Sequence, residues 1–247
     1  MPVYREQAIV LGHHDLSGAD RIIIFLTEGR GKVKAVAKGA RRPKSRFAGC
    51  VEPLSLVEMG YFTQPQRTTL ARLNHSELIE AFSSLRDDYD RLLRGFYVVE
   101  LADVLLKEGV AVPACFEHVA GALQALDEGG DGDLVRWGCA WRLLAALGYK
   151  PNLSACMVCK GEKTLETFNP GLGGCLCSGC RTPDRDGLPL SAGAIDHLRL
   201  LWELSWQDVG QLALSGSIRA EVGRAVELYL NQHLDRRLKS AELLGDA

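Results

Sequence analysis

The sequence predicts an α+β protein of more than one domain, in which a small five-stranded β-barrel precedes an α-helical domain that carries a four-cysteine module. Three observations lead to this class. Apolar residues alternate or occur in short runs over the first 80 residues, and they recur with helical spacing after that. Two Cys-x-x-Cys pairs interrupt the helical pattern. The predicted domains are residues 1–80 for the barrel, 81–150 and 185–247 for the helices, and 151–184 for the cysteine module.

Five strands are predicted in the N-terminal domain, because each apolar segment there is bounded by Gly, Asp or Pro. They cover residues 7–12, 21–27, 32–38, 54–62 and 68–73. Residues 28–31, with the sequence Glu-Gly-Arg-Gly, fit a hairpin turn between the second and third strands. Five short strands in one domain are typical of a small closed barrel, and the five-stranded member of that class is the OB-fold.

Helices are predicted from residue 81 onward. The first begins at Ser84 in a segment that resembles a capping box, and it continues to Gly109. The second begins at Pro113, which suits a first helical turn, and ends at residues 129–130. The remaining helices cover residues 133–147, 191–204 and 218–238. The cysteine module is therefore an insertion in a helical domain.

Two cysteine pairs predict a metal site. Cys156 and Cys159 form the first Cys-x-x-Cys pair, and Cys177 and Cys180 form the second. One such pair can hold a metal ion from a tight turn, and a second pair roughly 15–20 residues on can complete a tetrahedron. The spacing therefore predicts one structural Zn²⁺ ion bound by these four cysteines. Because four thiolates leave no open position for water, the metal is expected to fold the chain locally and not to catalyse a reaction.

Other interpretations of the pairs stay open. Disulfides need an oxidising compartment, and no secretory signal follows Met1, so the expected location is the reducing cytoplasm. An iron site of the rubredoxin type uses similar spacing, and a redox pair normally lies at the helix start of a βαβ unit, which this sequence lacks. Cys175 lies two residues before Cys177, but Cys-x-Cys is a poorer chelate. Cys175 is therefore predicted to lie outside the site.

A run of basic residues between Gly29 and Val51 contains no acidic residue. Its members are Arg30, Lys32, Lys34, Lys38, Arg41, Arg42, Lys44 and Arg46. Lys32 and Lys34 are two positions apart on a predicted strand, so both are expected on one face, and residues 39–45 continue as a basic loop. The run favours contact with a polyanion, because an OB barrel binds single strands on its second and third strands and its loops. A solvated loop is the alternative.

Composition and missing motifs exclude several classes of protein. A formal net charge of −2 over 247 residues excludes a uniformly basic protein but allows a basic patch. Apolar runs such as residues 22–26 are much shorter than a membrane span. The sequence contains no nucleophile elbow, phosphate-binding loop or two-metal carboxylate cluster. We therefore expect a protein that is neither an enzyme nor membrane-bound.

Two motifs in a fixed order carry a family resemblance. The first is Ala37-Lys38-Gly39-Ala40-Arg41-Arg42, which continues through Lys44-Ser45-Arg46. The second is Cys156-x-x-Cys159, followed by Phe168-x-Pro170 and by Gly173-Gly174-x-x-Cys177-x-x-Cys180. In this order they resemble the bacterial RecO family of DNA repair and recombination mediators. The likeness covers nearly the whole chain, from the strand at residues 6–10 to the last helix.

This resemblance implies an N-terminal OB-fold, a helical domain with a structural zinc ion, and no catalytic activity. It implies a protein that binds single- and double-stranded DNA, anneals complementary strands, and acts with RecR to load RecA onto DNA coated by single-strand-binding protein. As in some members of the family, the helical domain is expected to receive the acidic C-terminal tail of that coating protein. The implied location is the nucleoid. The oligomeric state stays open.

A second hypothesis belongs to a different class, a zinc-stabilised scaffold whose basic loop binds an acidic protein. Competition separates the two, because an acidic peptide should displace DNA poorly if the barrel is a DNA-binding domain. A metal-dependent enzyme is a third hypothesis. It would need an open position on the zinc ion, with three protein sulfurs bound instead of four.

Overall fold

The computed structural model describes residues 3–63, 70–161, 164–182 and 187–245. Contacts group the chain into two units: Met1–Gly129 together with Leu238–Ala247, and Gly130–Arg237. The first unit thus includes the helices that directly follow the β-strands, which the predicted boundaries place in the helical domain. Those boundaries stay a prediction, because a densely packed unit need not be an independently folding domain.

Five strands of the first unit close into a barrel in the order β1-β2-β3-β5-β4. The strands are β1 (Val3–Asp15), β2 (Arg21–Thr27), β3 (Gly31–Ala37), β4 (Leu56–Phe62) and β5 (Ala71–Glu80). Neighbouring strands are antiparallel except β3 and β5, which pair in parallel. Large side chains that include Phe25, Met59 and Tyr61 fill the interior and are buried. Their burial is the main favourable contribution to the stability of the barrel.

All five predicted strands are present, although their bounds differ from the prediction. β1 is longer than predicted because its first half pairs with β4 and its second half pairs with β2. β5 extends to Glu80 because it stays paired with β4 as far as Leu56. The predicted start of β5 at Thr68 lies outside the described residues. Pairing between distant strands therefore determines these strand ends.

Among its described residues, the first unit has four α-helices: α1 (Ser83–Arg86), α2 (Tyr89–Leu105), α3 (Pro113–Asp127) and α8 (Lys239–Leu244). The prediction of one helix from Ser84 to Gly109 is wrong. The Asp88 carboxylate accepts a hydrogen bond from the backbone N–H of Arg91 at 2.9 Å and starts a separate helix. The predicted start of α3 at Pro113 is confirmed.

In the part that the structure describes, the second unit contains four α-helices and a small sheet. Its elements are α4 (Gly132–Ala146), β6 (Leu165–Asn169), β7 (Gly174–Cys177), β8 (Leu188–Pro189), α5 (Ala192–Glu203), α6 (Trp206–Gly210) and α7 (Gly216–Asn231). The sheet order is β7-β6-β8. The prediction of a last helix to residue 238 is wrong, because α7 ends at Asn231 and Leu238 precedes a separate helix, α8. Among the helices within the described ranges, none has the length and apolar character needed to cross a bilayer.

An aromatic cluster forms the centre of the second unit. Trp141 on α4 is fully buried and stacks on Trp202 of α5, with ring centroids 5.4 Å apart. Phe168 on β6 lies 6.1 Å from Trp141 and 5.5 Å from Tyr229 on α7. The small sheet therefore contributes a large side chain to the core that the helices share, at a favourable aromatic separation.

Candidate metal centre and basic surface

The structure brings together the four cysteines of the two pairs. Cys156 and Cys159 lie in the turn before β6, Cys177 ends β7, and Cys180 ends the 3₁₀ turn that follows. Their sulfur atoms all lie within 4.8 Å of one another. The parallel bridge between Asn152 and Gly174 fixes the first loop against β7. Backbone pairing thus places two turns, distant in sequence, at one point.

The sulfur geometry fits a tetrahedral metal site. The Sγ atoms of Cys159 and Cys177 are 3.9 Å apart. Four sulfurs at about 2.3 Å from a zinc ion would be about 3.8 Å from one another. A disulfide would require about 2.05 Å, and all eight cysteines are free. The group therefore has the spacing of metal ligands and not of cystines.

The surroundings of the cluster favour thiolate formation. Burial would raise the pKa of Cys156, but hydrogen bonds from the backbone N–H groups of Cys177, Cys159 and Val158 lower it to about 6. Hydrogen bonding with Cys177 and Cys159 raises the pKa of Cys180 to about 12. One thiolate therefore forms easily, and neighbouring thiols donate hydrogen bonds to it. Only a cation at the centre would stabilise several thiolates at once.

Cys175 lies outside this group, as the chelate argument predicts. Its side chain is fully buried, and burial raises the pKa of its thiol to about 12. A buried, protonated thiol behaves as a small apolar side chain and is a poor metal ligand.

The basic loop after β3, residues 38–46, is held in a defined conformation. Successive turns hold its backbone, with hydrogen bonds from the Arg42 N–H to the Gly39 carbonyl oxygen at 3.1 Å and from the Ser45 N–H to the Arg42 carbonyl oxygen at 2.9 Å. The Asp20 carboxylate accepts a hydrogen bond from the Gly39 N–H at 2.7 Å. At the far end, the fully buried Phe47 fixes the loop to the barrel core. Asp20 lies in another loop, before β2, so no local pattern in the sequence links it to Gly39.

Five cations project from this loop into solvent. They are Lys38, Arg41, Arg42, Lys44 and Arg46, and all five are exposed. Arg41 approaches the Asp15 carboxylate at 3.6 Å. The other four make no ion pair with any residue in the described part of the chain. This surface therefore has a concentrated positive charge that nearby carboxylates do not neutralise.

The cations before the loop have a different environment. The side chains of Lys32 and Lys34 both reach carboxylates of the helical part of the first unit, and the segment after α2 pairs with the edge of β3 at Lys32. Lys32 is 9% exposed and its Nζ atom lies 3.1 Å from an Asp103 carboxylate oxygen. Lys34 pairs with Glu108 at 3.0 Å. These two lysines therefore hold β3 to the helical part of the first unit, and they contribute little free charge to the surface.

The aromatic residues near the basic run are mostly part of the core. Phe47 and Tyr61 are buried in the barrel and cannot stack on an external base. The Tyr61 hydroxyl donates a hydrogen bond to Glu6 at 2.7 Å. Arg30, in the turn between β2 and β3, lies over the ring of Tyr4 at 3.8 Å. Tyr4 and Glu6 lie on β1, far from Arg30 in the sequence, so no local pattern predicts these contacts.

Comparisons with known proteins find relatives for both parts of the chain. The chain matches two family models, Recombination protein O N terminal over residues 1–82 and Recombination protein O C terminal over residues 86–242. A DNA repair protein RecO from Symbiobacterium thermophilum is 34% identical over 249 residues, which cover 99% of this chain and 97% of the relative. The proteins of that name from Roseiflexus sp. and Cutibacterium acnes are each 34% identical, over 99% of this chain and over 86% and 99% of their own lengths.

The two family models cover nearly all of the barrel, the helices and the cysteine cluster, and the relatives align from end to end. These matches support a role in recombinational DNA repair. The chain belongs to the RecO family of DNA recombination and repair proteins.

Proposed function

We propose that this protein is a non-catalytic recombination mediator that binds single- and double-stranded DNA and anneals complementary strands. We infer that its barrel is an OB-fold, since the strand order and the closure of the sheet suit that class. The main support for the proposal is the charge of the loop of residues 38–46. Its five cations are all exposed, and among the described residues only Arg41 makes an ion pair.

The chemistry of this loop suits phosphate groups. Lysines and arginines neutralise DNA phosphates and release counterions, so affinity should fall steeply as salt increases. Two strands bound at such a surface repel each other less, and this favours annealing. Phosphate contacts position DNA without reading its bases, so we expect little sequence preference. Lys32 is not expected to contact DNA directly, because it is buried against Asp103.

We propose that the four cysteines bind one structural zinc ion. Cys156, Cys159, Cys177 and Cys180 would hold it, and the ion would supply the charge that keeps several thiolates close together. A closed set of four sulfurs leaves no position for substrate, which supports a protein without metal catalysis.

The partners follow from membership of the RecO family. We propose that the protein acts with RecR to load RecA onto DNA coated by single-strand-binding protein, and that it binds the acidic C-terminal tail of that coating protein. We propose that the protein acts at the nucleoid.

The test replaces Lys38, Arg41 and Arg42 together with alanine and measures duplex affinity across a salt titration. Each lost phosphate contact should reduce the slope of log affinity against log salt by about 0.9, so we expect a reduction of about 2–3 for the triple variant. Annealing of complementary oligonucleotides, without nucleotide, should slow in parallel. The fold should survive, because exposed side chains contribute little to stability.

A control variant carries the same change of net charge at another place. It replaces Lys107, Arg224 and Arg237, which are exposed cations outside the loop, with alanine. This control should keep the salt slope of the unmodified protein. Equal slopes for both triple variants would contradict the assignment of DNA binding to the loop. Displacement of duplex by an acidic peptide at low concentration would favour the protein-binding scaffold instead.

A further inference from the structure

A cleft of about 400 Å³ opens on the first unit, at the end of β3 away from the basic loop. Tyr4, Arg30, Lys34, Thr63, Glu108 and Ala111 are among the residues that line it. Its volume lies within the range of about 300–1,000 Å³ that is usual for sites of small organic groups. Its lining combines an aromatic ring, a guanidinium plane and hydrogen-bonding groups.

Arg30 is held in place before any ligand arrives. Its guanidinium lies over the Tyr4 ring at 3.8 Å and lies 3.8 Å from the Glu6 carboxylate. The same carboxylate accepts hydrogen bonds from the Tyr61 hydroxyl at 2.7 Å and from the Gly29 N–H at 3.0 Å. Arg30 nevertheless stays 51% exposed. A planar cation, stacked on an aromatic ring and open to the cleft, is a surface on which a nucleobase can stack.

The charge of the cleft favours a base over a phosphate. Arg30 lies near Glu6, Lys32 near Asp103, and Lys34 near Glu108, at 3.8, 3.1 and 3.0 Å. Each cation of the cleft therefore has its own carboxylate, whereas four of the five loop cations have none among the residues that the structure describes. A phosphate would meet these carboxylates and be repelled. An uncharged base would find a donor in Lys34 and an acceptor in Glu108 at the rim.

We propose that this cleft binds one unpaired nucleobase of a single strand, with the base stacked on the guanidinium of Arg30. This proposal rests on the proposed function and deepens it, since the loop would hold phosphates of either DNA form while the cleft accepts only a base that has left its stack. A base inside a duplex cannot reach such a site without unpairing. The cleft would therefore favour single strands over duplexes.

The test compares two variants with the unmodified full-length protein. Arg30→Lys keeps the charge but removes the planar stacking surface, and Ala111→Leu narrows the cleft without changing charge. Ala213→Leu, at an exposed alanine of the second unit, is the matched control for the second variant. Affinities are measured at one salt concentration by fluorescence anisotropy. The probes are an oligothymidine, a blunt duplex of the same length, and an abasic deoxyribose-phosphate strand of that length.

Both cleft variants should bind the oligothymidine roughly tenfold more weakly, as expected for the loss of one stacked base. Their affinities for the duplex and for the abasic strand should stay within about twofold, because phosphate contacts are unchanged. Equal losses on all three probes would overturn the proposal, since they would indicate a phosphate site. Unchanged affinity for the oligothymidine would also overturn it. If the loop variant weakens both DNA forms in that case, only the cleft is refuted and the proposed function stands.

Discussion

The two units use their charged and thiol side chains in opposite ways. In the first unit, the cations of residues 38–46 face solvent, and the barrel core below them is apolar. In the second unit, several arginines and cysteines, among them Arg136, Arg142 and Cys156, are buried, whereas others such as Arg224 and Arg237 are exposed. Arg142 is 7% exposed, and its guanidinium donates hydrogen bonds to the carbonyl oxygens of Leu201 and Leu204, at 2.6 Å each. It therefore satisfies the C-terminal end of α5, where positive charge is favourable.

The comparison shows that residue type alone does not indicate function. Arg219 contacts both Asp131 and Asp133 at the start of α4, at 2.7 and 2.9 Å, and so stabilises a helix end. Arg42 makes no ion pair in the described part of the chain and is available to a ligand. Substitutions in the second unit should therefore change stability, and substitutions in the loop should change binding.

The largest effect is expected from Cys156→Ser combined with Cys159→Ser. Loss of two ligands should abolish zinc binding, and structural zinc contributes about 10–16 kcal/mol of binding free energy in small zinc-finger peptides. We expect the second unit to lose more than about 3 kcal/mol, while the barrel keeps its fold and its DNA affinity. All four tryptophans of the chain lie in the second unit, so tryptophan fluorescence reports on that unit.

Urea unfolding followed by tryptophan fluorescence, together with zinc analysis, measures this change. Cys50→Ser is the control, since Cys50 is a half-buried cysteine of the first unit outside the cluster. A double variant that keeps its zinc, or that unfolds at the same urea concentration as the unmodified protein, would show that the cluster does not hold the unit together.

The next effect is expected from Arg142→Met, which keeps the length and apolar contacts of the side chain. Two carbonyl oxygens at the end of α5 would lose their donor, and we expect a loss of about 2 kcal/mol in the free energy of unfolding. The matched change Arg42→Met in the loop should alter stability by less than about 0.5 kcal/mol. Chemical denaturation of both variants decides between the internal and the external role. Equal losses would show that the buried Arg142 and the exposed Arg42 contribute alike to stability.

A smaller effect is expected from Lys32→Met, which tests a cation of the first unit that behaves like those of the second. The change leaves Asp103 without its partner, and because that carboxylate is partly exposed we expect a loss of about 1 kcal/mol. The salt slope of DNA binding should not change. Lys44→Met should do the reverse, keeping stability and reducing the slope by about 0.9. A lower slope for Lys32→Met would place Lys32 in the DNA contact.

Structural features that depend on residues close together in the sequence could be predicted from it. The spacing of the cysteine pairs anticipated a cluster that the fold does assemble, because each pair needs only one turn. Ser191 was predicted to begin a helix, and its hydroxyl accepts a hydrogen bond from the Ala194 N–H at 3.2 Å. Alternation of apolar residues located all five barrel strands, because the pleat of a strand is itself a local property.

Features that depend on distant residues could not be predicted. Asp103, the partner of Lys32, is 71 residues away along the chain, so an alternation pattern that placed Lys32 on the outer face could not show that the face is covered. The helical spacing of apolar residues continues to Leu238, but α7 ends at Asn231, and Leu238 is buried and belongs to the first unit. The cleft combines residues of β1, the turn before β3 and the segment after α2, which are adjacent only in the folded chain.

The smallest effect is expected from the pH dependence of Asp131, the N-cap of α4. Burial would raise the pKa of this carboxyl, but the Arg219 guanidinium and the Leu134 N–H lower it below its ordinary value of 3.8. A carboxyl with a lowered pKa in the folded state stabilises the fold above its ordinary pKa. This contribution is lost as pH falls through the lower, folded-state value.

Asp131→Asn keeps a good helix cap but removes the charge, so it isolates the ion pair with Arg219. At neutral pH, the free energy of unfolding should be higher for the unmodified protein than for this variant. The difference should be less than about 1 kcal/mol, because the carboxylate is about one-third exposed and is screened by solvent. The difference should shrink as pH falls below about 4. Urea unfolding followed by tryptophan fluorescence measures it. A difference that does not depend on pH would mean that Asp131 acts through its hydrogen bonds alone. In that case the ion pair of Asp131 with Arg219 would contribute less to stability than the ion pair of Lys32 with Asp103 in the first unit.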